Sequence, residues 1–486
     1  MFSLCRVVSR SNWSMLLHGL YHTWRERHRN GRMNLSVFPH TSNWFHLASF
    51  TFALMATASG RFLSAQCTLK WAQPRVLQVS DGRAAYVEAP TAVATRSGIL
   101  MLGTPAFIWA TPDVFDPAPG PTPQDTTTYL ARLRGNHGLA GFVLDSKRRA
   151  TPIKPPLTPA MRRTLAASGS DGTVHVIGFA PSADATDPDV NGSVWYVERR
   201  GEQWTAPTMV FSADRLDWSE HKAAVILTGA SDVHIVVPYY RGRTGGIAYI
   251  RRTNGRWRVT ETPMGGLPSQ ATAQFIGGDS LVVAFAGIGK AGVRTPNGQH
   301  IYLVRVAQAD TIWPAPTLIH WSGQNGVRWL GMYGGQGNDA APRALTLVWT
   351  ALLKDHGTLG DSVYAIASGD GGATWGQPHV LALPYGVASL THDRDARGNV
   401  HVFLSYSARS DANNSQMYHA AAVNGQWTGL DSLPTGPIAS TPTVSSIGPD
   451  TMLLAWGNAR QADRSSPGAI APVTEYTTLS TKCSGG

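Results

Sequence analysis

Three kinds of grouping in this 486-residue sequence are chemically suggestive. The run Asp187-Pro188-Asp189-Val190-Asn191-Gly192, continued to Glu198, satisfies D-x-[DN]-x-[DN]-G-x5-E. Hard oxygen donors alternating around a glycine turn are what Ca²⁺ requires. Residues 193–198 read as a strand that carries Glu198 away, so the stretch reads first as a metal-free acidic turn, with a calcium site resting on Asp187, Asp189 and Asn191 as the alternative. No other cofactor is expected. A second grouping sets aromatic rings beside guanidinium and carboxylate groups, which suits sugar rings and acidic sugars. It comprises Tyr239, Tyr240, Arg241 and Arg243; Asp217, Trp218, Glu220 and His221; Trp321, Arg328 and Trp329; and Arg460, Asp463 and Arg464. The plain alternative for each is a solvated loop. The third is His175, His234 and His401, at one position of a repeated segment. Such repetition predicts a packing or pore-lining role rather than a zinc site, because equivalent points of separate units lie beyond metal-ligand reach.

The elements that carry these groups repeat. A polar turn followed by a short apolar strand recurs seven times, at residues 98–102, 172–177, 232–236, 280–284, 344–348, 398–403 and 451–455. A second piece, strand, turn and then Trp, surrounds Trp204, Trp257, Trp313, Trp375 and Trp427. Two hairpins per period make a four-stranded antiparallel blade, so the chain reads as an all-β propeller, with seven blades preferred and six the alternative. The last unit has only three strands. An N-terminal strand must therefore close the ring, with residues 76–79 or 84–87 as the expected source.

The fullest copy of the second piece is Ser368-Gly369-Asp370-Gly371-Gly372-Ala373-Thr374-Trp375. Its glycines suit a tight turn, and Asp370 is placed to accept bonds from the turn's own N–H groups. The octet, through Ser368, Asp370, Gly372, Thr374 and Trp375, resembles the Asp-box (BNR repeat) of the sialidase-like β-propellers. That resemblance implies a six-bladed relative, structural boxes on one rim, and ligands on the opposite rim. Sialidase chemistry further implies an Arg-Ile-Pro segment opening blade 1 and a nucleophilic Tyr near the last blade. Here the matching stretches are Glu88-Ala89-Pro90-Thr91, without the Arg, and residues 439–444, without a Tyr. Asp113 and Asp116 lie in the loop where the family keeps its acid/base; with Glu220 they are the candidate catalytic carboxylates. The expected function is a non-catalytic glycan- or protein-binding module, with an exo-acting glycoside hydrolase as the alternative.

The chain's net charge of +10 would favour a polyanion were it spread over the repeats. Residues 1–66 hold seven of the 41 basic residues and one of the 31 acidic ones, leaving 34 against 30, so a nucleic-acid partner is not expected. Residues 33–60 carry no Lys, Arg, Asp or Glu, and residues 44–58 (WFHLASFTFALMATA) form an apolar run followed by Phe62-Leu63-Ser64-Ala65-Gln66. Residues 1–66 therefore read as an export leader, cleaved within residues 62–66 or retained as a membrane anchor, and residues 67–486 as the propeller. The exported product would be secreted, periplasmic or on the cell surface, touching membrane only through an uncleaved leader. Cys67 and Cys483 would survive cleavage and could form a disulfide joining the ends.

Overall fold

The computed structural model describes residues 66–78, 88–104, 139–153, 155–156, 161, 163–181, 191–216, 224–228, 232–264, 267–277, 280–288, 299–307, 310, 312–321, 326–334, 344–352, 359–383, 387–406, 417–433, 435, 442–461 and 470–484. Among the described residues there are strands and turns and no helix. The seven recurring apolar pieces are the second strands of seven antiparallel sheets: Gly98–Thr104, Val174–Pro181, Asp232–Arg241, Ser280–Ile288, Leu345–Leu352, Val400–Tyr406 and Thr451–Gln461. Their near-continuous burial follows from sheets covered on both faces by neighbouring blades.

The first strands of the sheets are Glu88–Thr95, Arg163–Ser168, Ala224–Thr228, Leu267–Ile276, Gly326–Gly334, Val387–Arg394 and Thr443–Gly448. Each touches the next in that order, and the last touches the first, which closes a seven-bladed ring. Side chains stitch these strands to one another's backbones. Ser445 Oγ accepts from Ala92 N (3.1 Å), Thr391 Oγ1 from Val444 N (3.3 Å), and Thr272 Oγ1 from Met332 N (3.0 Å). A polar residue facing the next blade thus supplies what a strand ladder would otherwise supply.

Ring closure differs from expectation in one respect. The outer strand of blade 7 is Gln66–Trp71, paired antiparallel with Ile470–Ser484, and Arg75–Val76 adds a second short pairing. Of the two expected sources, residues 76–79 contribute Val76 to that second pairing and Leu77 N to Thr474 O, and the main closing strand lies earlier in the chain. Gln66–Trp71 prevails because Trp71 sets its indole edge against Phe403 and His419, at centroid distances of 6.1 and 6.5 Å.

Antiparallel order fixes two rims. Turns between first and second strands, and between third and fourth, share a turn rim; loops between second and third strands, and between blades, share a loop rim. On the turn rim the octet 368–375 forms a self-contained network. Ser368 Oγ donates to Asp370 Oδ1 and accepts from Gly372 N, both at 2.8 Å. Asp370 accepts from Thr374 N (2.8 Å) and Thr374 Oγ1 (2.5 Å). Those bonds, Thr374's first, hold the Asp370 carboxyl down at about 2. Gly371 and Gly372 have φ of 75° and 83°, where a side chain would be strained. Trp375 packs against the core shared with blade 4.

The recurring histidines are buried and paired. His175 Nδ1 meets Tyr196 Oη at 2.7 Å, His234 Nδ1 meets Tyr249 Oη at 2.7 Å, and His401 Nδ1 meets His419 Nε2 at 3.0 Å. In each blade the partner lies two residues before the one directly opposite on the third strand, so one diagonal contact is used three times. Burial lowers His234 to about 4 and His419 well below its ordinary value.

Candidate functional site

Of the seven loops between second and third strands, only that of blade 3 falls within the described residues. It is shorter than its composition suggests. The strands Asp232–Arg241 and Thr244–Thr253 run on to a two-residue turn, Gly242-Arg243, with Gly242 at φ 58°. The tip is anchored by the connection from blade 2. Arg215–Leu216 pairs with Tyr240 and Tyr239, and Asp214 Oδ2 accepts from Gly242 N at 2.6 Å.

Strand alternation divides the expected Tyr239, Tyr240, Arg241 and Arg243 quartet between two faces. Tyr239 is 5% exposed and lies in the core between blades 2 and 3; burial, then the charge of Glu261, pushes its phenol up. Arg241 shares that face. Its guanidinium forks onto Glu261, with Nε to Oε2 at 2.9 Å and Nη2 to Oε1 at 2.8 Å, and Nη2 also donates to Ser212 O. The pair holds Glu261 below and Arg241 above their ordinary values. Arg241 is therefore a brace.

Tyr240 occupies the other face. Its hydroxyl donates to Pro268 O of blade 4 at 2.5 Å, which fixes the ring, and the Arg215 guanidinium lies over that ring 5.7 Å from its centroid. Arg243 is exposed at the turn tip. An immobilised aromatic ring carrying an exposed guanidinium, with a second exposed arginine at the adjoining turn tip, can stack a sugar and pair with its carboxylate or sulfate.

The remaining expected site residues lie on other blades. Trp321 ends the fourth strand of blade 4, opposite His300 at the loop rim. Arg328 is half-buried in the first strand of blade 5, beside a bulge at which Trp329 takes φ 50°. That bulge is clasped from both sides. Gln270 accepts from Leu330 N (2.8 Å) and donates to Val327 O (3.2 Å), and His392 Nε2 lies 3.0 Å from Trp329 O. Trp329 itself is fully buried core rather than ligand surface. Arg460 lies at the loop end of the second strand of blade 7. Asp113, Asp116, Asp187, Asp189, Trp218, Glu220 and Arg464 lie outside the described residues, and Asn191 is described only as the first residue of a strand.

One cluster escaped the sequence reading. Glu198, 1% exposed, accepts from Tyr196 Oη (2.9 Å), from Arg252 of blade 3 (2.5 Å) and from Arg200. Burial raises its carboxyl, but the bonds from Arg252, Tyr196 and Arg200 together outweigh that and hold it down. Burial, then Glu198, pushes the Tyr196 phenol far up, so it acts as a donor. The alternation Tyr196-x-Glu198-x-Arg200 places all three on one strand face and was the available signal. Glu198 is thereby committed to an ion pair between blades. Among the described residues no group of three or more His, Cys, Asp or Glu is placed to hold a metal.

No family model matches the chain, and no curated protein matches it. Solved structures do. An ulvan lyase of polysaccharide lyase family PL25 is similar over 83% of this chain and 95% of its own, at 11% identity and a TM-score of 0.50. The α-L-arabinofuranosidase arb93a of Fusarium graminearum is similar over 64% and 91%, at 11% identity and a TM-score of 0.40. The Aleuria aurantia lectin is similar over 74% and 99%, at 11% identity and a TM-score of 0.40. By their names these neighbours bind or process glycans; at such identities the likeness is one of fold alone, and the seven blades are those of this chain's own sheets.

Proposed function

We propose that this chain is an exported, sialidase-like Asp-box propeller that binds an acidic glycan at its loop rim without cleaving it. The observation that carries the reading is the Arg215–Tyr240–Arg243 corner, where a fixed ring and two guanidinium groups offer stacking and charge together. Two carboxylates near it among the described residues already have structural work, Glu261 bracing Arg241 and Asp214 capping Gly242. Export is supported by the apolar run at residues 44–58 and by Cys67, whose backbone lies directly opposite that of Cys483 in the closing pair of strands.

The test is a glycan array with sialylated, uronate and sulfated members, joined to a panel of chromogenic glycosides. Acidic glycans should be retained, and Tyr240→Ala or Arg215→Ala should weaken retention about tenfold or more, the worth of one stacking or charge-assisted contact. Retention of neutral glycans alone would overturn the acidic-glycan reading, and turnover of any glycoside would overturn it in favour of an exo-acting hydrolase.

A further inference from the structure

Of the four described non-glycine residues with positive φ, Arg148, Asn254 and Asn424 lie between strands, whereas Trp329, at 50°, lies within one. A bulky residue in the left-handed region costs free energy, and such strain persists only where neighbours enforce it. Arg328 stands opposite Thr350 and Gly331 opposite Val348, so Trp329 and Leu330 together oppose Trp349 alone. In a bulge of this kind the left-handed position ordinarily belongs to a glycine.

The bulge decides where Arg328 faces. Leu330 and Met332 pack in the core between blades 4 and 5, and Gly331 lies so close to His392 of blade 6 that a Cβ there would fall 2.2 Å from its ring. Continued without an extra residue, that alternation would put Arg328 on the blade 4 face and Val327 on the blade 6 face. Val327 instead lies in the blade 4 core and Trp329 in the blade 6 core, so the bulge turns Arg328 towards blade 6. Three neighbours hold it so. Buried Gln270 of blade 4 bonds the backbone on both sides of Trp329, buried His392 bonds Trp329 O, and Thr350 Oγ1 donates to Arg328 O at 3.3 Å.

The side chain so presented is half-buried. Among the described residues it pairs with no carboxylate, since the ion pairs of Asp145, Glu198, Glu261 and Asp395 are all made elsewhere. A partly desolvated guanidinium without a counter-charge favours an anion. Arg328 is the third residue of a strand that starts from an inter-blade connection, which places it on the loop rim. The Arg215–Tyr240 corner shares that rim and is joined to the bulge through blade 4. Tyr240 Oη bonds Pro268 O, and Gln270, two residues further along the same strand, grips Val327 and Leu330.

We infer that Arg328 is a second anion-recognition point on the loop rim, with Gln270 as its positioning residue, so that the bound glycan is an oligosaccharide carrying acidic groups on separate sugars. The inference rests on the corner as the first point. The corner faces blade 4 from blade 3, and Arg328 faces blade 6 from blade 5. Packed sheets stand about 10 Å apart, so the acidic groups of one sugar ring cannot serve both.

Calorimetry on the full chain compares two single sugars, galacturonate and glucose 6-sulfate, with two oligosaccharides, a galacturonate hexamer and a chondroitin sulfate hexasaccharide. At least one oligosaccharide should bind about tenfold or more tightly than its single-sugar counterpart, the worth of one further charge-assisted contact. Arg328→Ala should remove that preference and leave single-sugar affinity unchanged, and Arg328→Lys should restore part of it. Gln270→Ala should reduce the preference severalfold, whereas Tyr240→Ala should weaken single sugars and oligosaccharides alike. A wild type that holds single sugars through Tyr240 but gains nothing from length overturns this inference alone. So does an Arg328→Ala protein that melts lower yet keeps the full preference, which would make Arg328 a brace like Arg241. Binding of none of the four probes overturns the inference together with the corner reading.

Discussion

Blades 5 and 7 solve the same problem at opposite distances in sequence. Blade 5 is built from consecutive residues, and its octet bonds each group to another within four positions. Blade 7 takes its outer strand from the other end of the chain, so Trp71 lies opposite Leu479, Ala72 N donates to Thr478 O and Leu77 N to Thr474 O. A local turn has little loop entropy to overcome, while closure of the ring must order almost the whole chain first. Stability that depends on a cross-link should therefore concentrate in blade 7 and be nearly absent from blade 5.

The largest expected effect comes from that closure. The register that sets Cys67 opposite Cys483 predicts linked peptides in the non-reduced protein, visible by mass spectrometry. Reduction, or Cys67→Ser, should lower unfolding free energy by about 5 kcal/mol, the loop-closure value for a very long loop. Free thiols at both positions would show that pairing of the strands alone suffices. Next comes Trp71→Ala, which removes the indole packed against Phe403 and His419 and should cost about 3 kcal/mol in chemical denaturation. A loss as large from a substitution at the Trp375 edge of blade 5 would erase the distinction between the blades.

Asp370→Ala probes the local side of the comparison. Its carboxyl is exposed and bonded only within its own turn, so the thermal midpoint should fall by less than for Trp71→Ala. Because the folded value lies near 2, below the ordinary 3.8, the contribution is present above that ordinary value and is lost as pH falls from about 4 towards 2. The variant should consequently lose its difference from wild type over that interval.

The same distance rule explains what could be read from the sequence. The seven second strands and the octet are contiguous, so periodicity and turn chemistry revealed them and with them the fold. Of the closing segment only its second, shorter pairing at Val76 and Leu77 is legible, because the main strand Gln66–Trp71 depends on Trp71 meeting a pocket made by Phe403 and His419, more than three hundred residues away. The loop-rim corner was half legible. Tyr240 and Arg243 stood out by composition, but that Arg215 covers the Tyr240 ring while Glu261 occupies Arg241 depends on neighbours brought together only by folding. Strand alternation already separates Glu198 from the calcium-loop pattern that it completes, but that Arg252 of the next blade pairs with it depends on a neighbour brought there only by folding.

The smallest effect expected, and the sharpest test of whether blades are interchangeable units, concerns the buried histidine diagonal. Blades 2 and 3 set Tyr196 and Tyr249 against the recurring histidine of the diagonal, and blade 6 sets His419 there. His419 is 1% exposed, its Nδ1 has no hydrogen-bond partner, and burial, then the neighbouring His401, holds it neutral. At His419 and His234 the unfolded chain takes up a proton near pH 6.5 and the folded chain does not, so these two histidines lower stability as pH falls below 6.5; for His234 the loss ends near 4. His419→Tyr imports the solution used by blades 2 and 3, offering a hydroxyl to His401 Nδ1 without a titrating ring. Its midpoint at pH 7 should match wild type within a degree or two, and its decline between pH 6.5 and 4 should be shallower. A steeper decline, or a collapse at pH 7, would mean that the blade 6 diagonal is fitted to its closing-strand neighbour Trp71 rather than to the repeat, and that closure dictates the interior of blade 6 as well as the edge of blade 7.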